Sequence, residues 1–171
     1  MERILIVGCP GAGKTTFSRQ LGEILGLPVT HLDKIFWSPG NWKHLEQSVF
    51  DEALLCELSK PRWIIEGNYD RTIALRLEYC DAVIWLDYSR YICMGRWFMR
   101  ILCNLGKVRS DMAPGCLERF EWEFAKMIWN FNRDNRRKYE TMLGEQRGKE
   151  IYRIRKPGQL AKLLRSLQEN K

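Results

Sequence analysis

Residues 8–16 read Gly-Cys-Pro-Gly-Ala-Gly-Lys-Thr-Thr (GCPGAGKTT), between the apolar run Ile4 to Val7 and a segment from Lys14 to Leu25. The run is short and rich in β-branched residues, which reads as a strand. The later segment carries Phe17, Leu21, Ile24 and Leu25 at helical spacing. Gly8 to Thr15 fits Gly-x-x-x-x-Gly-Lys-Ser/Thr in the strand–loop–helix context that this pattern requires. In such a loop, here Gly8, Cys9, Pro10, Gly11, Ala12 and Gly13, the backbone wraps a phosphate with the N–H groups of its non-proline residues, and the helix N-terminus adds its positive end. Lys14 is placed to reach β- and γ-phosphates, and Thr15, followed by Thr16, to ligate Mg²⁺ through oxygen. A plain glycine-rich turn with a surface lysine would not need the whole pattern.

Working outward, Gly26 and Pro28 stop the first helix, and Val29 to Leu32 reads as a second strand ending at Asp33. Leu45 to Leu58 has helical spacing. Trp63 to Ile65 and Ala82 to Leu86 are fully apolar runs, each closed by an acid, Glu66 and Asp87. Tyr91 to Leu105 reads as a helix, 106–115 as a polar break and Leu117 to Tyr139 as a long helix. A last strand is expected at Ile151 to Ile154 and a last helix at Gly158 to Leu167. Continuous apolar strands alternating with helices indicate a parallel sheet covered on both faces. Ligands of such sheets sit outside the carboxyl ends of the strands, where Gly8, Asp33, Glu66 and Asp87 would gather.

The chain has 171 residues, enough for one domain with a real core. Its net charge of +7 attracts phosphate in any form: nucleotide, nucleic acid or anionic lipid. The six cysteines are scattered without a CxxC pair, which argues against a zinc site or a disulfide framework. The beginning lacks the long apolar segment of a secretory signal, and no apolar run approaches the ~18 residues of a membrane span. A cytoplasmic location without a membrane partner is the expectation.

Taken with the later segments LPVTHLDKIFW, WIIEGNYDRT, AVIWLDYSR, GRWFMR and GKVRSDMAPGCLERF, the loop resembles the small P-loop kinases of the adenylate kinase and shikimate kinase type. More narrowly, the chain is similar to the family of DNA topology modulation proteins, which are related to adenylate kinases. The resemblance covers nearly the whole chain. It implies a single domain over residues 1–171, a three-layer α/β/α sandwich whose five-stranded parallel sheet has the order 2-3-1-4-5, and a helical lid at about 96–120. It also implies ATP and Mg²⁺ as cofactors, with γ-phosphoryl transfer to a small-molecule hydroxyl or phosphate, by a monomer or homodimer.

Nucleoside monophosphate kinases carry Asp-Gly-Phe-Pro-Arg-Thr after their third strand, where this chain has Glu66-Gly-Asn-Tyr-Asp-Arg71-Thr. The proline is lost and one residue is added. By resemblance Glu66 would hold a water on Mg²⁺, Gly67 would admit the acceptor to the backbone, and Asn68, Tyr69 and Arg71 would face that acceptor. Asp33 would contact the acceptor hydroxyl as base or orienting group, although it also suits a helix cap or turn. Trp37 and Trp42, around Ser38-Pro39-Gly40-Asn41, suit either an acceptor flap or core. Asp87 resembles a Walker B acid but ranks below Glu66. The lid pair would place Arg96 on the base and Arg100 on the transferred phosphate, jobs suited to a planar guanidinium. Arg155 to Gly158 occupies the place where related kinases contact the adenine edge.

Phe120, Phe124, Met127 and Phe131 form a helical stripe that reads most simply as core, with Trp122 and Trp129 left to cover a partner. Arg133, Arg136, Arg137 and Lys138 close the long helix, where positive charge suits its dipole. The same cluster keeps open a second function, a nucleotide-gated nucleic-acid-binding or regulatory protein with little phosphotransfer.

Overall fold

The computed structural model describes residues 1–39 and 42–169, which therefore leaves Gly40 and Asn41 of the expected flap outside the described residues. Five strands run in parallel: β1 (Arg3–Gly8), β2 (Val29–His31), β3 (Trp63–Glu66), β4 (Ala82–Leu86) and β5 (Glu150–Ile154). Their order is β2-β3-β1-β4-β5, as the resemblance implied. The central strand β1 pairs Ile6 with Glu66 on one side and Gly8 with Leu86 on the other. Ile4 to Val7, Trp63 to Ile65 and Ala82 to Ile84 are completely buried, which is why these runs are apolar without alternation.

Among the described residues seven α-helices surround the sheet: α1 (Lys14–Leu25), α2 (Leu32–Phe36), α3 (Gln47–Leu58), α4 (Ile73–Tyr79), α5 (Arg90–Asn104), α6 (Trp122–Gly144) and α7 (Pro157–Glu169). α1 packs on β1, β2, β3 and α7, while α5 packs on α6. Gly26 closes α1 in a left-handed C-cap whose N–H reaches Gly22 O. No helix among the described residues is long and apolar enough to cross a membrane.

The chain departs from the expected elements in four places. The second strand stops at His31, because Leu32 already begins the one-turn helix α2, which sets Asp33 in its first turn. A 3₁₀ turn at Asp70–Thr72 and the short α4 lie where no periodicity was legible; seven residues are too few to display one. The long helix begins at Trp122, since Leu117 and Glu118 are drawn into bridges with Val108 and Leu105. Finally, the aromatic stripe is core only in part: Phe131 is buried and Phe124 packs against the core, but Phe120 and Met127 are exposed, and the buried face of the helix is Ala125, Ile128, Phe131, Tyr139 and Leu143.

Asp87 is buried just past β4 and is held by the Nε of Arg136 at 2.9 Å and of Arg153 at 2.9 Å, with Arg155 at 3.8 Å. It ties α6 to β5 and sits apart from the cleft described below. Asp87→Asn should lower stability by about 1–3 kcal/mol, less than for a fully buried pair because its partners reach solvent. Urea unfolding checks the loss, and ATP affinity should be unchanged if the acid is purely structural.

Candidate active site

The loop after β1 passes close to α5. A Cβ at Gly11 (φ +80°) would lie 2.4 Å from Cys93 O, so both the left-handed backbone and the space demand glycine. Lys14 Nζ folds over the loop to Gly8 O at 2.8 Å and Cys9 O at 3.4 Å. Cys9 itself turns inward, its buried thiol 3.8 Å from Ile128 O, so only its backbone belongs to the loop. Pro10 to Thr16 line a cleft of about 1270 Å³ at the carboxyl edge of the sheet.

Thr15 begins the metal-facing corner. Its Oγ1 lies 3.0 Å from Glu66 Oε1 and 3.0 Å from Asp111 Oδ2. The hydroxyl has one proton, so it can donate to only one of them. Two carboxylates thus converge on one oxygen with a single proton between them, an excess of oxygen acceptors that a hard divalent cation would relieve. The corner fits Mg²⁺ on this ground, although no group of three or more His, Cys, Asp or Glu among the described residues is arranged to hold a metal alone. Glu66 is buried and oriented by His31 Nδ1 at 2.9 Å. β2 and β3 are adjacent, which puts His31 opposite Glu66.

Beyond Glu66 the chain turns sharply. A Cβ at Gly67 (φ +137°) would meet Leu32 Cβ at 2.9 Å. Asn68 Oδ1 accepts from Gly8 N at 3.1 Å, stitching this turn to the phosphate loop. Tyr69 adopts φ +35°, a left-handed conformation that costs a non-glycine residue about 1–3 kcal/mol. What holds it is Arg76, fully buried, whose guanidinium donates to the carbonyls of Gly67 (2.7 Å), Asn68 and Tyr69 (3.0 Å). Burial pulls the Arg76 pKa down to about 10. The Tyr69 hydroxyl donates to Asp33 Oδ1 at 2.5 Å. Asp33 is half-buried and lines the cleft, and desolvation followed by the nearby Glu66 charge pushes its carboxyl above the usual range. Phe36, Trp37 and Trp42 continue this wall.

The opposite wall is basic. Arg96 donates to Ala12 O at 2.7 Å and lies 5.1 Å over the Tyr88 ring. Arg100 and Arg109 share Glu118, at 3.0 and 2.8 Å, and Arg109 also reaches Asp111 at 3.4 Å. Burial, and then the neighbouring Arg109, lower the Arg100 pKa. Arg100 Nε is buried with no hydrogen-bond partner among the described residues. An anion placed there would answer both the crowding of like charges and the orphaned donor. Phe124, Met127 and Phe131, from the stripe expected as core, also line the cleft.

Residues 105–121 cross the cleft between α5 and α6. Met112, Ala113 and Cys116 form a small buried cluster against Trp37 and Trp42, and Trp42 Nε1 donates to Leu117 O at 3.1 Å. Residues 105–121 are therefore packed down on Trp37 and Trp42, which accounts for the burial of Asp111 and Glu118.

The structure brings Lys14, Thr15, Asp33, Glu66, Gly67, Asn68, Tyr69, Arg96 and Arg100 to one cleft. It does not bring Arg71, whose guanidinium is paired with Asp51 at 2.5 and 2.9 Å on the outer surface; the 3₁₀ turn after Tyr69 carries it away. The backbone N–H groups of Arg155 and Lys156 are taken up by Gln159 Oε1, at 2.7 and 3.1 Å. Asp111, Glu118, His31 and Arg76 are site residues that the sequence reading missed. Only the invasion of an otherwise polar lid by paired acids and arginines in RSDMAPGCLE hinted at the first two.

No family model matches the chain, and no curated protein matches it. Solved structures do. Shikimate kinase from Acinetobacter baumannii in complex with shikimate is 18% identical with a TM-score of 0.60, covering 100% of this chain and 95% of that one. Deoxyadenosine kinase from M. mycoides with bound dATP is 15% identical with a TM-score of 0.57, covering 98% and 99%. Shikimate kinase from Bacteroides thetaiotaomicron is 16% identical with a TM-score of 0.54, covering 99% and 97%. The chain therefore has the P-loop kinase fold over its whole length.

Because Asp33 binds its proton more tightly in the folded state than in the unfolded one, the folded state loses stability as pH rises through the raised value. Asp33→Asn should accordingly be more stable than the parent at pH 8, and that gain should vanish below the ordinary carboxylate range. Urea midpoints across this pH range are the check.

Proposed function

We propose that the protein is an ATP-dependent phosphotransferase that moves the γ-phosphoryl group to a small-molecule acceptor. The observation that carries this reading is the convergence of the Thr15, Glu66 and Asp111 oxygens beside a complete phosphate loop, in one cleft with Arg100, whose Nε has no hydrogen-bond partner among the described residues. The fold is in keeping with it: the structural neighbours bear the names of kinases, one in complex with shikimate and another with dATP.

In this reading the loop amides and Lys14 hold the phosphates, and Lys14 exchanges its contacts to Gly8 O and Cys9 O for phosphate oxygens. Arg96 covers the base. Thr15, Glu66 and Asp111 would hold Mg²⁺, which would supply positive charge to offset the phosphates of the nucleotide. An acceptor hydroxyl lies against Asp33, whose Oδ1 is already taken by Tyr69, leaving Oδ2 to receive the hydroxyl hydrogen bond. The acceptor oxygen attacks the γ-phosphorus, the bond to the β–γ bridging oxygen breaks, and ADP leaves with that electron pair. The hydroxyl proton passes to Asp33 or to solvent. Asp33 serves here chiefly to orient, since phosphoryl transfer rests on positioning and charge stabilisation. Lid closure over the cleft excludes water that would otherwise hydrolyse ATP.

The segment RSDMAPGCLERF, which carries the narrower resemblance to DNA topology modulation proteins, supplies Asp111 and Glu118 and the buried lid cluster, so the resemblance falls on residues with roles at the cleft. A direct nucleic-acid role draws less support. Of the cations expected to close the long helix, which lie inside α6 because it runs on to Gly144, Arg133 is paired with Asp134, Arg136 with Asp87 and Lys138 with Asp70.

A phosphotransfer screen with γ-labelled ATP over nucleosides, nucleotides and hydroxyl metabolites tests the proposal. Lys14→Ala should abolish transfer, and Arg100→Ala should reduce turnover ~10³-fold, as for comparable phosphate-facing arginines. ATP affinity and transfer unchanged in Lys14→Ala would sink the proposal.

A further inference from the structure

The two ends of the cleft differ in the charges they have to spare. At the phosphate end, Lys14, Arg96 and Arg100 face the loop. At the acceptor end the titratable side chains are acids, Asp33 and Glu66, set among the rings of Phe36, Trp37, Trp42 and Tyr69. These rings form a continuous wall: Phe36 lies 4.6 Å from Tyr69 and 5.0 Å from Trp37, and Trp37 lies 5.3 Å from Trp42.

The arginines that line or flank this end already have partners: Arg19, which also lines the cleft, donates to Ser110 Oγ at 2.6 Å. Arg71 is on the outer surface with Asp51. Arg76 is sealed beneath the turn, its donors spent on the carbonyls of residues 67, 68 and 69. Arg109 is held by Glu118 and Asp111, and Arg119 is paired with Glu121 while covering Trp42. An acceptor bearing a carboxylate or a phosphate ester would therefore bring a second negative charge against Asp33 and Glu66 in an enclosed space, with no cation to pair it. A cation or a neutral ring suits the same surroundings, through the acids and the aromatic faces.

Resting on the kinase reading above, we infer that the acceptor is an uncharged or cationic hydroxyl compound with a flat apolar face, and not a carboxylate or a phosphate ester. This narrows the hydroxyl-or-phosphate alternative to the hydroxyl. It also separates this chain's second substrate from the acidic shikimate seen in one structural neighbour.

The test is calorimetric titration of the full chain, with Mg²⁺ and a non-hydrolysable ATP analogue and again without them, using two matched pairs of probes. The first pair is deoxycytidine and its 5′-monophosphate; the second is phenylalaninol, an amino alcohol, and 3-phenyllactate, a hydroxy acid of the same ring. In each pair the neutral or cationic member should bind at least about tenfold more tightly, since like-charge juxtaposition in an enclosed site is strongly unfavourable. Arg71→Ala should leave that ratio where it is. Equal or tighter binding of the anionic members would overturn the inference, as would failure of both deoxycytidine and phenylalaninol to bind at about 10 mM, a concentration that detects even very weak affinity. The analogue is titrated first. If it does not bind, the kinase reading fails; if it binds and the anionic probes win, only the acceptor inference fails.

Discussion

The Thr15 hydroxyl is shared between two carboxylates, and much of the molecule exists to make that sharing possible. Glu66 reaches it because β3 lies beside β1, with Ile6 and Glu66 in register. His31, on the next strand, fixes the same Glu66 oxygen from behind. Asp111 reaches it only because residues 105–121 fold over the cleft, clipped to Trp42 and buried against Trp37. Sheet, loop and lid thus meet at one oxygen that has too few protons for its neighbours. A cation is the natural complement of such a corner, and its binding would couple lid position to metal occupancy.

The remainder of the cleft follows from where charge is spent. Asp87, although it ends a strand like Glu66, is absorbed by Arg136, Arg153 and Arg155 and locks α6 to β5. Arg76 is consumed in shaping the 67–69 turn, which in turn holds Tyr69 in a strained backbone and its hydroxyl on Asp33. The arginines of α5 and the lid are crowded around Glu118, with Arg100 Nε unpaired. The +7 surplus is therefore organised rather than diffuse: part is internal bracing, and part faces the phosphate end of the cleft.

What was legible in the sequence was whatever local pattern specifies. Buried parallel strands are apolar throughout, so β1, β3 and β4 announced themselves, and the phosphate loop is contiguous with its own strand and helix. The acidic strand ends were legible because sheet edges at this position gather ligands. Contacts made across long stretches of chain were not. Asp111 lies 96 residues from Thr15, and nothing local distinguishes it from a solvated lid acid. Arg71 and Arg76 are five residues apart on one segment; the first, expected at the acceptor, goes to Asp51, and the second, unremarked, is buried. A 3₁₀ turn of three residues decides that exchange. The stripe Phe120 to Phe131 had core periodicity, but the periodicity of a cleft wall is the same.

The central claim is that this corner and loop bind a nucleoside triphosphate together with a divalent cation. Its most direct test is calorimetric titration of the unmodified chain with ATP, in the presence and absence of Mg²⁺. The account predicts saturable binding at a stoichiometry of about one, at least about tenfold tighter with Mg²⁺, because the cation relieves the carboxylates around Thr15. Absence of ATP binding, or an affinity indifferent to Mg²⁺, would contradict it.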